Sequence, residues 1–235
     1  MTAWIDSHGG TAPSGSRRPL DVFELGRVPY REAWELQHRL FEQRAASAIP
    51  DTLLLVEHPP TITLGRAGGR DHLLASAEEL ATRGIEVLEI DRGGDVTYHG
   101  PGQVVAYPIL DLSRLLPDLN RYVRALEETM MRVLRDHGVE PERVAGMSGV
   151  WVGGAKVGAV GVRVKEWITM HGFALNVNTD LSGFGLIVPC GLHGRPVTSL
   201  ARLLGHPLDL AEVRRQVASA LAGVFGFEPG PGQLR

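Results

Sequence analysis

The chain of 235 residues carries one cysteine, Cys190, in the string LIVPCGL, residues 186 to 192. Leu186, Ile187 and Val188 read as the end of a buried strand. Pro189 stops the ladder because it has no N–H to give, and Gly191 lets the backbone turn beside the sulfur. Cys190 is therefore expected at the mouth of a sheet. A lone cysteine is often an inert core residue, but a packed core thiol needs no turn on either side. A free thiol with a pKa of about 8.5 is only slightly ionised at neutral pH, so a nucleophilic cysteine needs a neighbour that takes its proton or stabilises its anion. Histidine and lysine can do this; arginine cannot, because it is never deprotonated in proteins. Lys156 and Lys165 are the two lysines among 24 basic residues, so a position that stays lysine here is one where a removable proton has value.

Lys165 adjoins Glu166 and reads as half of a surface ion pair, whereas Lys156, in GGAKVGAVG, has no charged residue within six positions. An amine buried among apolar neighbours has a lowered pKa and can serve as a base near neutrality; a lysine at a strand edge can equally extend its amine to water. The loop RGGDVTYHGPGQ, residues 92 to 103, sets Arg92, Thr97, Tyr98, His99 and Gln103 among four glycines. Side chains and free backbone N–H groups of this kind can hold a carbonyl, an amide or a phosphodiester, or can form a purely structural turn. His99 and His58 read as hydrogen-bonding or packing residues rather than bases. GRAGGR, residues 65 to 70, resembles the nucleotide loop of biotin protein ligases but lacks its second arginine. Neither a Walker A string nor a dinucleotide fingerprint is present, so ATP is not implied.

The elements that must carry these residues alternate between strand and helix patterns. Residues 1–18 are rich in Gly, Ser and Pro and read as a flexible tail, 19–228 as a single domain and 229–235 as a C-terminal tail. DVFELGR reads as a short strand, and Ala33, Leu36, Leu40 and Phe41 recur at helical spacing between Tyr30 and Ala46. TLLLVEH is a buried strand; Ser76 with Glu79 forms a capping box before a short helix closed by Gly84. IEVLEID and VVAYPIL read as strands on either side of the 92–103 loop, whose composition predicts no regular structure. Asp118 caps the longest helix, which presents Tyr122, Leu126, Met130 and Val133 on one face and stops at Gly138. GVWVG, AKVGAVGVRV and WITMHGFALNV are strand-like, and the glycines inside them mark bulges or close approach by a backbone or ligand. Asp209 and Glu212 open the last helix.

Composition excludes several classes of function. One cysteine leaves no internal disulfide and no paired-cysteine metal site, and the nine histidines show no HExxH spacing. A net charge of −3 gives no footprint for nucleic acid. No apolar run approaches the roughly 18 residues of a membrane span, so no membrane partner and a cytoplasmic location are expected.

EHPPTITLG, RGGDVTYHGPGQ, KVGAVGVRV, HGFALNVNTD, VPCG and VTSL together resemble the lipoyl(octanoyl) transferase family, in family order over roughly residues 52 to 200. The chain departs at HPPTIT, where the family commonly has an aromatic residue before the threonine. The resemblance implies an α/β fold of the α+β type, with mixed β-sheets flanked by helices, similar to the catalytic domain of biotin and lipoate protein ligases. It implies transfer of an octanoyl (or lipoyl) group from acyl carrier protein to a lysine of apo lipoyl domains of 2-oxoacid dehydrogenase complexes and the glycine cleavage system. Cys190 would be the acyl-thioester nucleophile and Lys156 its pKa-lowering partner. Substrate contacts would come from Arg92, Gly93, Gly94, Asp95, Val96, Thr97, Tyr98 and His99, from Ala159, Val160 and Gly161, and from Gly172, Phe173 and Ala174. Backbone N–H groups near Cys190 and along 159 to 161 would face the oxyanion, and the glycines at 161 and 172 would leave room for the fatty chain. No cofactor, ATP or metal is expected. The rivals are an ATP-dependent lipoate or biotin ligase on the same fold and a non-catalytic acyl- or carrier-protein-binding module.

Overall fold

The computed structural model describes residues 17–188 and 196–232. In chain order these form β1 (Arg18–Arg27), α1 (Tyr30–Ala45), β2 (Asp51–Glu57), β3 (Thr61–Leu64), α2 (Ala77–Thr82), β4 (Glu86–Glu89), β5 (Val96–His99), β6 (Gln103–Ile109), α3 (Leu119–Asp136), β7 (Val150–Val152), β8 (Ala155–Lys165), β9 (Ile168–Asn176), α4 (Leu200–Leu204), α5 (Leu210–Phe225) and β10 (Phe227–Pro231). A seven-stranded sheet runs β10-β1-β2-β6-β9-β8-β7, and a three-stranded sheet runs β4-β3-β5. Both are mixed: β1 lies parallel to β10 and β2, the pairings from β2 through β7 are antiparallel, and β3 is parallel to β4 but antiparallel to β5.

The apolar run LLLV explains how the large sheet is covered. Successive strand residues point to opposite faces. Leu53 and Leu55 accordingly pack with Leu126, Met130, Val213 and Val217 of α3 and α5, while Leu54 and Val56 pack with Ala33, Leu40 and Phe41 of α1. With both faces covered, every residue of β2 and β6 is buried. Each fully buried leucine contributes about 1.5–3 kcal/mol. Helix starts follow the expected caps: Asp118 accepts the Arg121 N–H at 3.0 Å, and Asp209 accepts that of Ala211 at 2.8 Å. At Ser76 half of the expected box forms; its hydroxyl accepts the Glu79 N–H, while the Glu79 carboxylate turns to Arg83.

Four local readings differ. The 92–103 loop contains a strand, because the β-branched and aromatic VTYH pairs with TITL of β3, leaving the glycines at either end. TITL was itself not recognised as a strand in the sequence. Leu186 closes a 3₁₀ turn and Ile187 makes an isolated bridge to Leu73, so residues 186 to 188 are not a strand end. The 229–235 segment begins in order: Pro229 to Pro231 pair with Leu20 to Val22 at the sheet edge, and β1 already starts at Arg18. Most of the N-terminal tail lies outside the described residues, and no helix among those described is long and apolar enough to cross a membrane.

Candidate active site

β5 with the loop that leads into it, β8 and β9 bring thirteen of the expected site residues to one pocket. Arg92, Gly94, Asp95, Val96, Thr97 and His99 line one side, Lys156, Ala159, Val160 and Gly161 a second, and Gly172, Phe173 and Ala174 the floor. The register makes this convergence unavoidable, since Ala159, Val160 and Gly161 lie opposite Ala174, Phe173 and Gly172 on neighbouring strands. Gly93 lines an adjoining groove instead. Tyr98 faces away, as alternation along β5 requires; its ring packs on Phe184 with centroids 5.4 Å apart, in the cluster with Ile62 and Leu186. Ile62, at the departure from the family pattern, belongs to that same buried cluster and does not line the pocket.

Cys190 lies outside the described residues. The chain on either side of it is anchored at the pocket. The Val188 N–H donates to the His72 carbonyl at 2.8 Å, and His72 Nδ1 meets the Asp95 carboxylate at 2.6 Å. On the return, the Lys156 N–H donates to the Pro196 carbonyl and the Thr198 N–H to the Lys156 carbonyl, each at 2.9 Å.

Lys156 is partly buried, with Nζ 5.2 Å from the centre of the Trp151 ring. Its side chain runs over Gly149, whose φ is +116°; a Cβ there would stand 2.6 Å from Lys156 Cε and 2.5 Å from the Gly158 carbonyl oxygen. Gly149 is tied down by Glu127, a fully buried carboxylate on α3 that accepts the Gly149 N–H at 2.9 Å and pairs with Arg124 and Arg143 at 2.7 and 3.0 Å. Lys165, by contrast, is exposed beside Glu166 at 3.8 Å, as expected.

The glycines of the pocket wall make room for protein rather than for ligand. The space a Cβ would take at Gly161 holds the Arg92 side chain, and that at Gly172 holds the Ala106 carbonyl, 2.2 Å away. Arg92 is itself committed: its guanidinium donates to both Thr63 oxygens at 2.9 Å and to the Gly93 carbonyl at 3.0 Å. In an antiparallel strand a residue's N–H and C=O point to the same side, and sides alternate. The Val162 carbonyl accepts from Gly93, on the side away from β9, so the Val160 N–H faces that same edge, where β7 has ended at Val150.

Beneath the pocket lies a histidine–tyrosine layer in which His58 and His99 are the hydrogen-bonding residues expected, while Tyr30 and Tyr107 were not announced by the motifs. His58 bridges the Val28 carbonyl and the Tyr107 hydroxyl, both at 2.8 Å, and burial pushes its pKa down to about 4. His99 holds Gln103 at 2.8 Å; burial, and the nearness of His58, keep its pKa well below the usual value. Both histidines are thus neutral hydrogen-bonding residues. Burial raises Tyr30 to about 12, so it too stays uncharged.

His171 and Asp91 were also missed. His171 has φ +55° within β9, opposite the stretch of β6 where Pro108 can offer no N–H; its own N–H turns to Gln37 of α1 at 2.8 Å. Its Nε2 meets Asp91 at 2.8 Å, and Asp91 also pairs with Arg163 at 2.7 Å and accepts from Trp34 at 3.0 Å. Burial pushes Asp91 up, but these partners outweigh it and hold the carboxyl well below the usual range. Burial also lowers His171, so near neutrality Arg163 is the lasting cation beside Asp91. The available signal was positional: Asp91 precedes RGG, and His171 precedes the glycine of HGFALN. Among the described residues no group of three His, Cys, Asp or Glu side chains could hold a metal ion.

Residues 29–222 match the family model for the lipoyl protein ligase A/B catalytic domain. The chain is 54% identical over 215 residues to an octanoyltransferase of Chloroflexus aurantiacus, covering 90% of this chain and 96% of that one. The chain belongs to the octanoyltransferase family. An octanoyltransferase of Rubrobacter xylanophilus is 51% identical over 217 residues, 91% of this chain and 97% of the relative. Beyond the octanoyltransferase family, the fold extends to lipoate-protein ligase A bound with ATP, with a TM-score of 0.75 at 15% identity over 93% of this chain and 90% of the other. It extends also to biotin protein ligase from Aquifex aeolicus, with a TM-score of 0.56 at 15% identity over 87% and 70%. The expected fold class is therefore the one observed.

Proposed function

We propose that the protein transfers an octanoyl group from acyl carrier protein to a lysine of apo lipoyl domains, through a thioester on Cys190, without ATP, metal or other cofactor. The observation that carries this reading is the anchoring of Lys156, six residues of the 92–99 stretch and both flanks of the Cys190 segment at one pocket, in a chain whose relatives are octanoyltransferases.

The steps balance without an energy source. Lys156 takes the thiol proton, and the thiolate attacks the thioester carbonyl of the donor. A C–S bond forms to Cys190, the C–S bond to the pantetheine thiol breaks, and Lys156 returns the proton to that leaving thiol. Exchange of one thioester for another is nearly even. The acceptor lysine's amine then attacks the acyl enzyme: a C–N bond forms, the C–S bond to Cys190 breaks, the amine's proton passes through Lys156 to the departing Cys190 thiolate, and the amide formed makes the second step downhill. The Val160 N–H, facing the open edge of β8, is the described donor best aimed for the oxyanion. The aromatic and apolar floor, with Tyr30, Tyr107 and Phe173, suits a fatty chain.

Incubation with octanoyl-carrier protein in the absence of ATP, followed by intact mass measurement, tests this. One octanoyl mass should appear, vanish on adding an apo lipoyl domain, and never form in Cys190→Ser. Modification of the lipoyl domain by Cys190→Ser, or a strict need for ATP, would overturn the proposal and favour ligase chemistry.

A further inference from the structure

A second hollow opens off the pocket, between the first turns of α3 and the edge of β8, and the two share a wall of Gly94, Ser148, Val160 and Gly161. We infer that this groove binds the pantetheine arm of the acyl donor, with the arm's phosphodiester toward Arg124; the inference rests on the acyl-transfer reading above.

A thioester carbonyl held at Val160 has two substituents that must depart in different directions. The fatty chain takes the apolar pocket, so the arm requires a second continuous space touching the same residue, and this groove touches it. The chemistry of the wall matches the arm. Pantetheine is an extended chain of two amides, a hydroxyl and a geminal dimethyl group. The groove offers main chain at Gly93, Gly94 and Gly146, a side-chain amide at Asn120, and apolar surface at Val123 and Leu119. Leu119 is a large apolar side chain left 48% exposed, which a ligand lying along α3 would cover.

Charge supports the direction. Arg124 lines the groove with its side chain 49% exposed, and the 33% exposed Arg143 guanidinium reaches the Arg124 carbonyl. Glu127 is fully buried between these two arginines, and Glu128, 29% exposed, meets Arg143 at 3.0 Å and is itself paired with Arg135, so Arg124 is the cation turned to the groove. A guanidinium has five donors, so holding Glu127 does not exhaust Arg124, and a phosphodiester is a fitting partner for the rest.

The test compares two donors, octanoyl-phosphopantetheine and octanoyl-N-acetylcysteamine, the latter lacking most of the arm, and reads the ratio of their kcat/KM values. Val123→Trp fills the groove and should lower that ratio by about tenfold or more. Asn120→Trp, at an exposed position that does not disturb folding, should lower it in the same direction, and Arg124→Glu should act through the phosphate end. An unchanged ratio in the folded variants overturns the inference. A selective rise in KM for the lipoyl domain, with the donor ratio intact, overturns it in favour of the acceptor. If the unaltered protein transfers octanoyl from neither thioester nor from octanoyl-carrier protein, the transferase reading itself fails, a result distinct from loss of arm preference alone.

Discussion

A methyl group added at Gly149 would press on Lys156 from below and meet main chain at the same time. The φ of +116° lies where L residues rarely go, which costs about 1–3 kcal/mol. The new Cβ would sit 2.5 Å from the Gly158 carbonyl oxygen, and overpacking of this kind costs about 1–3 kcal/mol more. Together these give about 2–6 kcal/mol, or a fall in Tm of roughly 5–20 °C for a domain of this size. The same Cβ would be 2.6 Å from Lys156 Cε, so the side chain must retreat by about 1 Å to reach ordinary contact. A displacement of that order at a reacting group costs about 100-fold in rate. Gly153→Ala supplies the comparison: φ there is +56° with nothing within 4 Å, so strain of about 1–2 kcal/mol is expected and Lys156 is untouched. Measured well below both melting transitions, octanoyl-enzyme formation should be slowed by about 100-fold in Gly149→Ala and barely changed in Gly153→Ala. Equal rates in the two variants would refute the idea that the Gly149 backbone sets the position of the amine.

Glu127→Gln keeps an acceptor for the Gly149 N–H and should cost about 1 kcal/mol in urea unfolding, whereas Glu127→Ala strands that buried N–H and should cost about 2–3 kcal/mol, with slower acylation in both. Acidification acts on His58, which titrates near 6.5 when unfolded but near 4 in the fold. Between those values the unfolded chain binds the extra proton, so stability falls as pH drops from 6.5 toward 4, by about 3 kcal/mol from this residue. The urea midpoint should follow that slope, and His58→Gln should flatten it.

The parts of the site that were legible in the sequence are contiguous strings. RGGDVTYH, AVG and GFA carry their own glycines and strand formers, and adjacent strands bring them together without further instruction. The LLLV run likewise announces a strand covered on both faces. What escaped depends on partners far along the chain. The left-handed turn at His171 follows from Pro108 on the adjoining strand and Gln37 on a helix. Glu127 reads in sequence as one more polar residue of an amphipathic helix, and only folding buries it against Gly149. Tyr98 looked like a pocket residue by motif, yet period-two alternation sends it to the opposite face from Thr97 and His99. Glycines 161 and 172 were correctly read as sites of close approach, but what approaches is Arg92 and the Ala106 carbonyl. Pro-Gly composition in PGPGQLR, residues 229 to 235, suggested a tail, because composition alone does not say that a strand will lie at an edge.

That edge bears on how copies of the molecule meet. The Gly232 N–H donates inward to the Val22 carbonyl, so by alternation the backbone nitrogens of residues 229 and 231 face outward, and both belong to proline. The outer rim of β10 therefore presents no donors at two successive outward positions. A wandering strand from a second molecule finds no ladder to climb there, and fibril-like stacking is discouraged at the side of the sheet where the chain ends.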